Sequence, residues 1–146
     1  EIANLAQMVN VIAPILTDEG GAYYQTIAYP LLLYREEMLG DRVELKYESP
    51  VLDTPAGDVL ALNVCALRQA DGTLHIAAVN RDFANAHTLR LGLRGTARVT
   101  MLTAPVDAVC TPQASCVQQS DHVMAADDVV LPPGSVSFME RRFNSL

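Results

Sequence analysis

The sequence contains no tryptophan, and aromatic residues make up only 5% of its 146 positions. Proteins that hold sugar rings without catalysis usually do so on a platform of aromatic side chains, whose flat faces cover the apolar side of the ring. This shortage disfavours a stand-alone carbohydrate-binding module. Half of the residues are nevertheless hydrophobic, which is ample for one packed core and disfavours a disordered chain.

Positive charge is also scarce, since 10 Lys and Arg residues against 17 Asp and Glu residues give a net charge of −7. The basic residues are scattered along the chain, and an acidic surface without basic clusters repels phosphate backbones. We therefore predict no nucleic-acid partner. The uncharged stretch 22–34 is too short to span a bilayer and is interrupted by Pro30, so we predict no membrane partner either.

Cysteine is limited to Cys65, Cys110 and Cys116, whose spacing matches no metal-binding motif. An odd number of cysteines favours a reducing compartment. We therefore predict a cytoplasmic protein. Cys65 lies in an apolar strand pattern and is predicted to be buried. Cys110 and Cys116 share a loop-like stretch, where free thiols are the favoured interpretation and a disulfide is the alternative.

The first forty residues combine helix-like and strand-like patterns. Apolar residues at helical spacing predict a short helix over 2–9. The β-branched run 11–16 predicts a strand buried on both faces, and the Asp, Glu and Gly residues of 17–21 predict a turn. A second helix is predicted over 26–39, with Thr26 as its N-cap.

After residue 41 the apolar period changes to two, which is typical of half-buried antiparallel strands. The alternating or apolar sets are Val43, Leu45 and Tyr47; 59–67; 74–80; Leu89, Leu91 and Leu93; Ala97, Val99 and Met101; and Val136 and Phe138. The Asp71-Gly72 pair between two of these sets predicts a hairpin with a type I′ turn. Residues 103–128 show little periodicity and are predicted to be the least ordered segment. Several short strands joined by turns predict an antiparallel β-sandwich.

Groups able to carry chemistry are few. His75, His87 and His122 lie in three separate segments, so each is predicted to be an ordinary strand or loop histidine rather than a metal ligand or base. No serine stands in a nucleophile-elbow motif, and no glycine pattern suits a nucleotide. We therefore predict no catalytic residue, no metal and no cofactor in this chain.

One polar cluster does follow a predicted strand and open a predicted helix: Tyr23, Tyr24, Gln25 and Thr26. A side-chain amide such as that of Gln25 both donates to and accepts from sugar hydroxyls, and a neighbouring tyrosine stacks on a ring face. Gln25, Tyr24 and Tyr23 are therefore the candidate substrate-binding residues. The alternative is structural, with Gln25 capping the helix and the tyrosines packing in a core.

Five blocks of the sequence, spread over nearly the whole chain, match a known family in order and approximate spacing. They are 3–15, 25–30, Ser49-Pro50 with Asp53-Thr54, 79–82 and 131–133. On these blocks the chain resembles the C-terminal part of the family-51 glycoside hydrolases, the α-L-arabinofuranosidases. The resemblance implies that residues 1–40 are the last segment of a catalytic (β/α)8 barrel and that 41–146 form a C-terminal, jelly-roll-like β-sandwich.

In that family two glutamates act across the scissile bond by a retaining mechanism. Both precede the block that begins at residue 3, so the resemblance implies that this chain is inactive alone. Gln25 matches a family residue that contacts the sugar, whereas the family usually has Trp-Arg where Tyr23 and Tyr24 stand. The resemblance therefore implies the C-terminal part of an enzyme that releases terminal arabinofuranosyl residues from arabinose-containing saccharides.

A carbohydrate-binding or assembly sandwich with no catalysis is the alternative function. A separate expectation concerns association between copies. The apolar residues of 9–16 and 31–33 are suited to face barrel elements that this chain lacks, and large exposed apolar patches are rare on monomers. We therefore expect the isolated chain to self-associate.

Overall fold

The computed structural model describes residues 7–142, which form twelve β-strands and one α-helix. In chain order the elements are β1 Ile15–Asp18, β2 Gly21–Tyr24, α1 Ala28–Glu37, β3 Asp41–Val43, β4 Val51–Leu52, β5 Val59–Leu60, β6 Leu62–Arg68, β7 Leu74–Asn80, β8 His87–Arg90, β9 Thr96–Thr103, β10 Gln118–Ala125, β11 Asp128–Leu131 and β12 Val136–Arg141. The fold is thus mainly β, and its strand pairings are antiparallel, as the alternating pattern predicted. The helix predicted over 2–9 lies largely outside the described residues.

A six-stranded sheet in the order β10-β9-β12-β7-β6-β3 forms the centre of the molecule. The two-stranded β8–β11 ribbon packs on one face of this sheet, and α1 packs on the other. Two further two-stranded ribbons, β1–β2 and β4–β5, lie outside the main sheet. The central strands therefore have both faces covered, which explains why β7 is buried along almost its whole length.

The larger hydrophobic core lies between the sheet and the β8–β11 ribbon. Its buried members are Leu62, Ala66, Leu74, Ile76, Ala78, Leu89, Ala97, Val99, Met101, Ala126, Val129, Leu131 and Met139. Leu91 and Leu93 are partly buried and pack against this cluster together with Leu89. The predicted Leu89/Leu91/Leu93 face and the 97/99/101 alternation are therefore confirmed as parts of one core.

The smaller core lies between the sheet and α1. Val136 and Phe138 contribute to it from the same face of β12, as their spacing predicted. The rings of Tyr34 and Phe138 meet edge to face, with centroids 5.0 Å apart and planes at 80°. Such contacts add to the stabilisation that comes from burying apolar area. Helix α1 is consequently part of the sheet's packing, although it precedes the proposed domain boundary at residue 40.

Charged side chains tie the end of α1 to the same sheet. Glu37 accepts from Arg98 at 3.0 Å and lies 3.7 Å from Nδ1 of His75. Arg98 also reaches Glu140 at 2.7 Å, and Glu140 in turn accepts from Arg142. His75 is thus a buried strand histidine beside a carboxylate. These pairs fix the orientation of α1 across β7, β9 and β12.

Glycine at position 40 is required where α1 turns into β3. Its backbone φ is +142°, and a Cβ placed there would lie 2.5 Å from the Arg68 carbonyl oxygen. No other residue fits so close a backbone approach. The chain therefore leaves the helix and enters the sheet edge at this residue.

The β6–β7 hairpin is confirmed, but its predicted type I′ turn is wrong. The loop spans residues 69–73, in which Gln69 N–H donates to Thr73 O and Gly72 N–H donates to Gln69 O. Gly72 has a φ of +85°, whereas Asp71 is not among the residues with positive φ. A type I′ turn needs positive φ at both central residues. Asp71 instead accepts from the Thr73 N–H through its side chain, which stabilises a longer turn.

Two strand predictions need correction. The predicted strand 11–16 is wrong, because Asn10 and Val11 adopt φ of +61° in a turn and β1 begins only at Ile15. Val11 and Ile12 are consequently 76% and 73% exposed rather than buried. The predicted strand 59–67 is divided at Ala61. That residue lies outside both β5 and β6, and its N–H donates to Pro50 O while its carbonyl accepts from Arg81 N–H.

The segment 103–128 is more regular than predicted, since it contains the eight-residue strand β10. Strand β10 lies at the edge of the sheet and is exposed along nearly its whole length. An edge strand with no buried face carries no apolar period, so pattern reading does not detect it. The cross-strand bond from Thr100 Oγ1 to Asp121, at 2.6 Å, joins it to β9.

The cysteine predictions are also corrected. Cys110 and Cys116 form a disulfide, so the less favoured alternative is the observed one. Cys65 is exposed rather than buried, because α1 covers the face of β7, β9 and β12 and leaves β6 open. Its Sγ lies 4.0 Å from the Tyr34 hydroxyl. Burial, together with this neighbouring thiol, raises the pKa of Tyr34 to about 12.

Candidate functional site

The candidate site is built on the β1–β2 ribbon and the turn that leads into α1. Strands β1 and β2 pair from Ile15 with Tyr24 to Asp18 with Gly21. At the turn, the Gly20 N–H donates to the Asp18 carboxylate at 2.7 Å. We call this ribbon, Ile15–Tyr24, the β1–β2 hairpin. It carries the predicted substrate-binding tyrosines within β2, not after a strand as the sequence suggested.

Gln25 stands where the β1–β2 hairpin ends. Its N–H donates to Pro14 O at 2.8 Å, and its carbonyl accepts from Ala28 N–H at 3.0 Å. The prediction of Thr26 as N-cap is wrong, because Ile27 occupies that position and no side chain caps the helix. The backbone of Gln25 therefore fixes the start of α1. Its side-chain amide is not needed for capping and stays available for a ligand.

The Gln25 side chain lines a cavity of about 200 Å³ together with residues that are distant in sequence. The members of this lining are Leu16, Gln25, Thr26, Ala108, Val109 and Cys110. The last three belong to the connection between β9 and β10, residues 104–117, which we call the β9–β10 loop. Sequence patterns do not indicate this loop, because it has no motif and no apolar period.

Tyr23 and Tyr24 line a different depression, of about 330 Å³, with Ile15 and Ala22. The Tyr24 ring is 46% exposed and meets the Tyr29 ring edge to face, with centroids 6.2 Å apart. The structure therefore does not bring the three predicted residues into one cavity. Gln25 faces the β9–β10 loop, whereas the two tyrosines share the neighbouring depression on the hairpin.

Asp82 is the most strongly perturbed titratable group in the described part of the chain, and it lies far along the sequence from the hairpin. Its carboxylate accepts from the N–H groups of Ala84 and Asn85, from the Asn85 side chain and from Nε2 of His87 at 2.9 Å. These donors, the Ala84 N–H first among them, hold the pKa of Asp82 well below its ordinary range. His87 is thus explained as a partner of Asp82. The group closes a turn between β7 and β8 and lines none of the candidate cavities.

Within residues 7–142 no three His, Cys, Asp or Glu side chains lie close enough together to hold a metal ion. His122 is exposed and lies 3.0 Å from Ser120 Oγ. Over the same range, no helix has the length and apolar character that crossing a bilayer would require. The chemistry available at the hairpin is therefore hydrogen bonding by an amide and contact with tyrosine rings.

Comparison with known proteins gives this arrangement a family. The model of the family described as "Alpha-L-arabinofuranosidase C-terminal domain" matches residues 1–135. The chain therefore belongs to the α-L-arabinofuranosidase C-terminal domain family. This match confirms the resemblance that the sequence blocks indicated.

Curated relatives agree with that assignment. An exo-α-(1→6)-L-arabinofuranosidase of Bifidobacterium longum is 42% identical over 94 residues, which is 62% of this chain and 18% of the relative. An intracellular exo-α-(1→5)-L-arabinofuranosidase of Streptomyces lividans is 36% identical over 96 residues, 64% of this chain and 14% of the relative. The chain thus spans less than a fifth of the length of these two relatives.

Solved structures show the same fold. The GH51 α-L-arabinofuranosidase of Thermotoga petrophila RKU-1 superposes with a TM-score of 0.82 and 24% identity, over 97% of this chain and 34% of that one. The α-L-arabinofuranosidase of Thermotoga maritima, solved with arabinose, has a TM-score of 0.82 and 25% identity over the same shares. The fold described here is therefore shared with these enzymes over 97% of this chain.

Proposed function

We propose that this chain is the C-terminal part of an α-L-arabinofuranosidase that releases terminal arabinofuranosyl residues from arabinose-containing polysaccharides or oligosaccharides. The family match over residues 1–135 is the observation that carries the proposal. The enzyme would act by a retaining mechanism with two glutamates, which need to be about 5 Å apart across the glycosidic bond. Both glutamates lie outside this chain, which supplies structure to the catalytic domain.

Within that enzyme, residues 1–40 form the last segment of the barrel and residues 41–146 form the sandwich. Helix α1 supports this role, because one side of it packs on the sheet through Leu33 and Tyr34. The opposite side exposes Leu31 and Leu32, which are 46% and 37% accessible. A helix with apolar residues on both sides is suited to lie between two layers. The sandwich would then buttress the barrel through α1.

Gln25 is the residue of this chain that we assign to the sugar. The hydrogen bonds of its backbone N–H and carbonyl fix where the side chain leaves the main chain. An amide placed beside the cavity in this way can strengthen its hydrogen bonds to sugar hydroxyls as charge develops in the transition state. Tyr23 and Tyr24 would contact the substrate from the adjacent depression.

The experiment is Gln25→Ala in the longer arabinofuranosidase that carries this chain. We expect kcat/KM for an aryl arabinofuranoside to fall roughly 10- to 1000-fold, with the melting temperature nearly unchanged. Gln118→Ala is the matched control, since that exposed glutamine lies on β10. An unchanged kcat/KM combined with a lower melting temperature would show that Gln25 acts structurally.

The 146-residue chain alone is expected to be inactive, because it carries neither catalytic glutamate. Hydrolysis of an aryl arabinofuranoside should not exceed the rate in buffer. Turnover that persists through repurification and disappears on mutation of a carboxylate within this chain would contradict the proposal. The alternative, a non-catalytic saccharide-binding or assembly module, would then also be excluded.

We further propose a cytoplasmic location and self-association of the isolated chain, without nucleic-acid or membrane partners. Several relatives are intracellular arabinofuranosidases, which supports the location. The Cys110–Cys116 disulfide points the other way, because disulfides persist mainly in oxidising compartments. Cell fractionation, combined with trapping of free thiols, decides between the cytoplasm and an oxidising compartment. Exposed apolar residues such as Val11, Ile12 and Leu31 support self-association.

A further inference from the structure

The β9–β10 loop folds back onto the β1–β2 hairpin, although the two segments are far apart in sequence. The Tyr29 hydroxyl and Ser115 Oγ lie 2.8 Å apart across 86 positions. At the hairpin turn, a Cβ added to Gly20 would lie 3.2 Å from Pro112 Cγ and 3.3 Å from Gln113 Nε2. The loop therefore rests on the hairpin turn at one point and on Tyr29 of α1 at another.

The loop is ordered by its own bonds as well as by these contacts. Cys110 and Cys116 are joined by a disulfide six positions apart. Between them, Thr111 and Ala114 exchange backbone hydrogen bonds of 3.1 and 3.3 Å. Ser115 Oγ also donates to Val117 O at 2.9 Å. A short loop closed in this way loses little further freedom when a ligand binds beside it.

The loop presents Val109 to the cavity that Gln25 lines. Val109 is 80% exposed and directly precedes the disulfide-bonded Cys110. An apolar side chain beside an amide is a combination found in small-molecule sites, where apolar contacts provide area and a few polar groups fix orientation. A saccharide suits the amide of Gln25 and the apolar side chain of Val109, since it offers hydroxyl groups and apolar C–H faces.

We propose that the β9–β10 loop forms one wall of the saccharide site and that Val109 contacts the substrate group next to the sugar bound by Gln25. The proposal rests on the function proposed above. In this proposal Gln25 holds the reacting sugar, so the contact of the 80% exposed Val109 is assigned to the leaving group. Val109 is therefore a specificity-determining residue, and it belongs to the sandwich rather than to the barrel segment.

The first test is Val109→Ser in the longer arabinofuranosidase, with Val106→Ser as its matched control. Val106 is in the same loop and is 77% exposed, but it does not line the cavity. Kinetics are measured with an aryl arabinofuranoside and with an arabinofuranosyl disaccharide. Losing an apolar contact in a binding pocket changes discrimination roughly 10-fold or more. We expect such a change in the ratio of the two kcat/KM values for Val109→Ser and less than about a twofold change for Val106→Ser.

The second test uses the 146-residue chain and needs no activity. Cys110→Ser/Cys116→Ser opens the loop, and Cys65→Ser is the control, because that exposed thiol lies on β6. Hydrogen exchange at the Gln25 amide, which bonds to Pro14 O, is the readout. We expect roughly tenfold faster exchange in the double variant and no change in the control.

The outcomes separate this proposal from the one on which it rests. Suppose that Gln25→Ala lowers kcat/KM but that Val109→Ser and Val106→Ser give the same ratio of the two kcat/KM values. The proposed contact between the β9–β10 loop and the substrate is then refuted, and the proposed function stands. If neither Gln25→Ala nor Val109→Ser changes kcat/KM or the substrate ratio, both the loop contact and the sugar-binding role proposed for Gln25 are refuted. Equal exchange at Gln25 with the loop open or closed would overturn the claim that the loop holds this side of the site.

Discussion

We expect a substitution at Asn80 to lower the free energy of unfolding strongly, because its side chain joins three segments by hydrogen bonds. The residue is 1% exposed and ends strand β7. Its Nδ2 lies 2.9, 3.2 and 2.9 Å from the carbonyl oxygens of Asn85, Leu131 and Pro132, which share its two hydrogens. Its Oδ1 accepts from the Asp82 N–H at 3.0 Å. The amide thus joins the end of β7 to the turn before β8 and to the end of β11.

Replacing Asn80 by Ala removes all four hydrogen bonds. A typical intramolecular hydrogen bond contributes about 1 kcal/mol net, and a buried group left without a partner costs about 1–3 kcal/mol. The carbonyls of Asn85 and Pro132 are partly accessible to water, but the Leu131 carbonyl and the Asp82 N–H are buried. We therefore expect a loss of about 3–4 kcal/mol. For a chain of this size, each kcal/mol lowers Tm by roughly 2–4 °C.

Thermal unfolding followed by circular dichroism provides the assay, with Asn63→Ala as control. Asn63 is an exposed asparagine on the adjacent strand β6, and surface substitutions usually change stability by less than about 0.5 kcal/mol. Asn80→Asp gives a second check, because it keeps the size but removes the donors facing three carbonyls. The reasoning is refuted if Asn80→Ala melts within about 2 °C of Asn63→Ala.

Three further predictions follow from particular residues. Leu91→Asp places a charge against the larger core and should cost roughly 2–4 kcal/mol in urea unfolding, whereas Leu39→Asp, at a 59% exposed site, should unfold like the parent. The fold lowers the pKa of Asp82, so the stability that this carboxylate contributes is present above its unfolded pKa of about 3.9 and is lost as the pH falls towards its folded pKa. Asp82→Asn should therefore flatten the decline in Tm from pH 5 to pH 3. The same change at an exposed carboxylate should leave that decline as it is in the parent. Light scattering over a tenfold concentration range should show association that the double change Val11→Lys/Ile12→Lys abolishes; a parent that is monomeric throughout contradicts it.

Pattern reading succeeded where one face of a strand meets a core. Ala97, Val99 and Met101 lie on one face of β9 and Val136 and Phe138 on one face of β12, as their period of two predicted. The pattern failed for β10, because a strand exposed on both faces has no apolar alternation to read. It also failed for the run 11–16, where the backbone turns at Asn10 and Val11 despite their apolar neighbours.

The candidate site was likewise predictable from the sequence only in part. The order of Tyr23, Tyr24 and Gln25 at a boundary between elements, and the family blocks around them, could be recognised from local sequence. That Gln25 and the tyrosines line separate cavities could not, because the hairpin register decides which side chains share a face. Burial of Cys65 was predicted from an apolar neighbourhood, yet the area that α1 covers leaves it exposed.

The sequence by itself determined the mainly β antiparallel class, the β6–β7 hairpin and the family, since each depends on neighbouring residues or on the order of short blocks along the chain. Only the tertiary structure brought the β9–β10 loop onto the β1–β2 hairpin and α1 and joined Cys110 to Cys116. Only it made Asn80 a junction of three segments. The reason is physical: periodicity records which face of an element is buried, whereas the partner that buries it is selected by packing between distant segments.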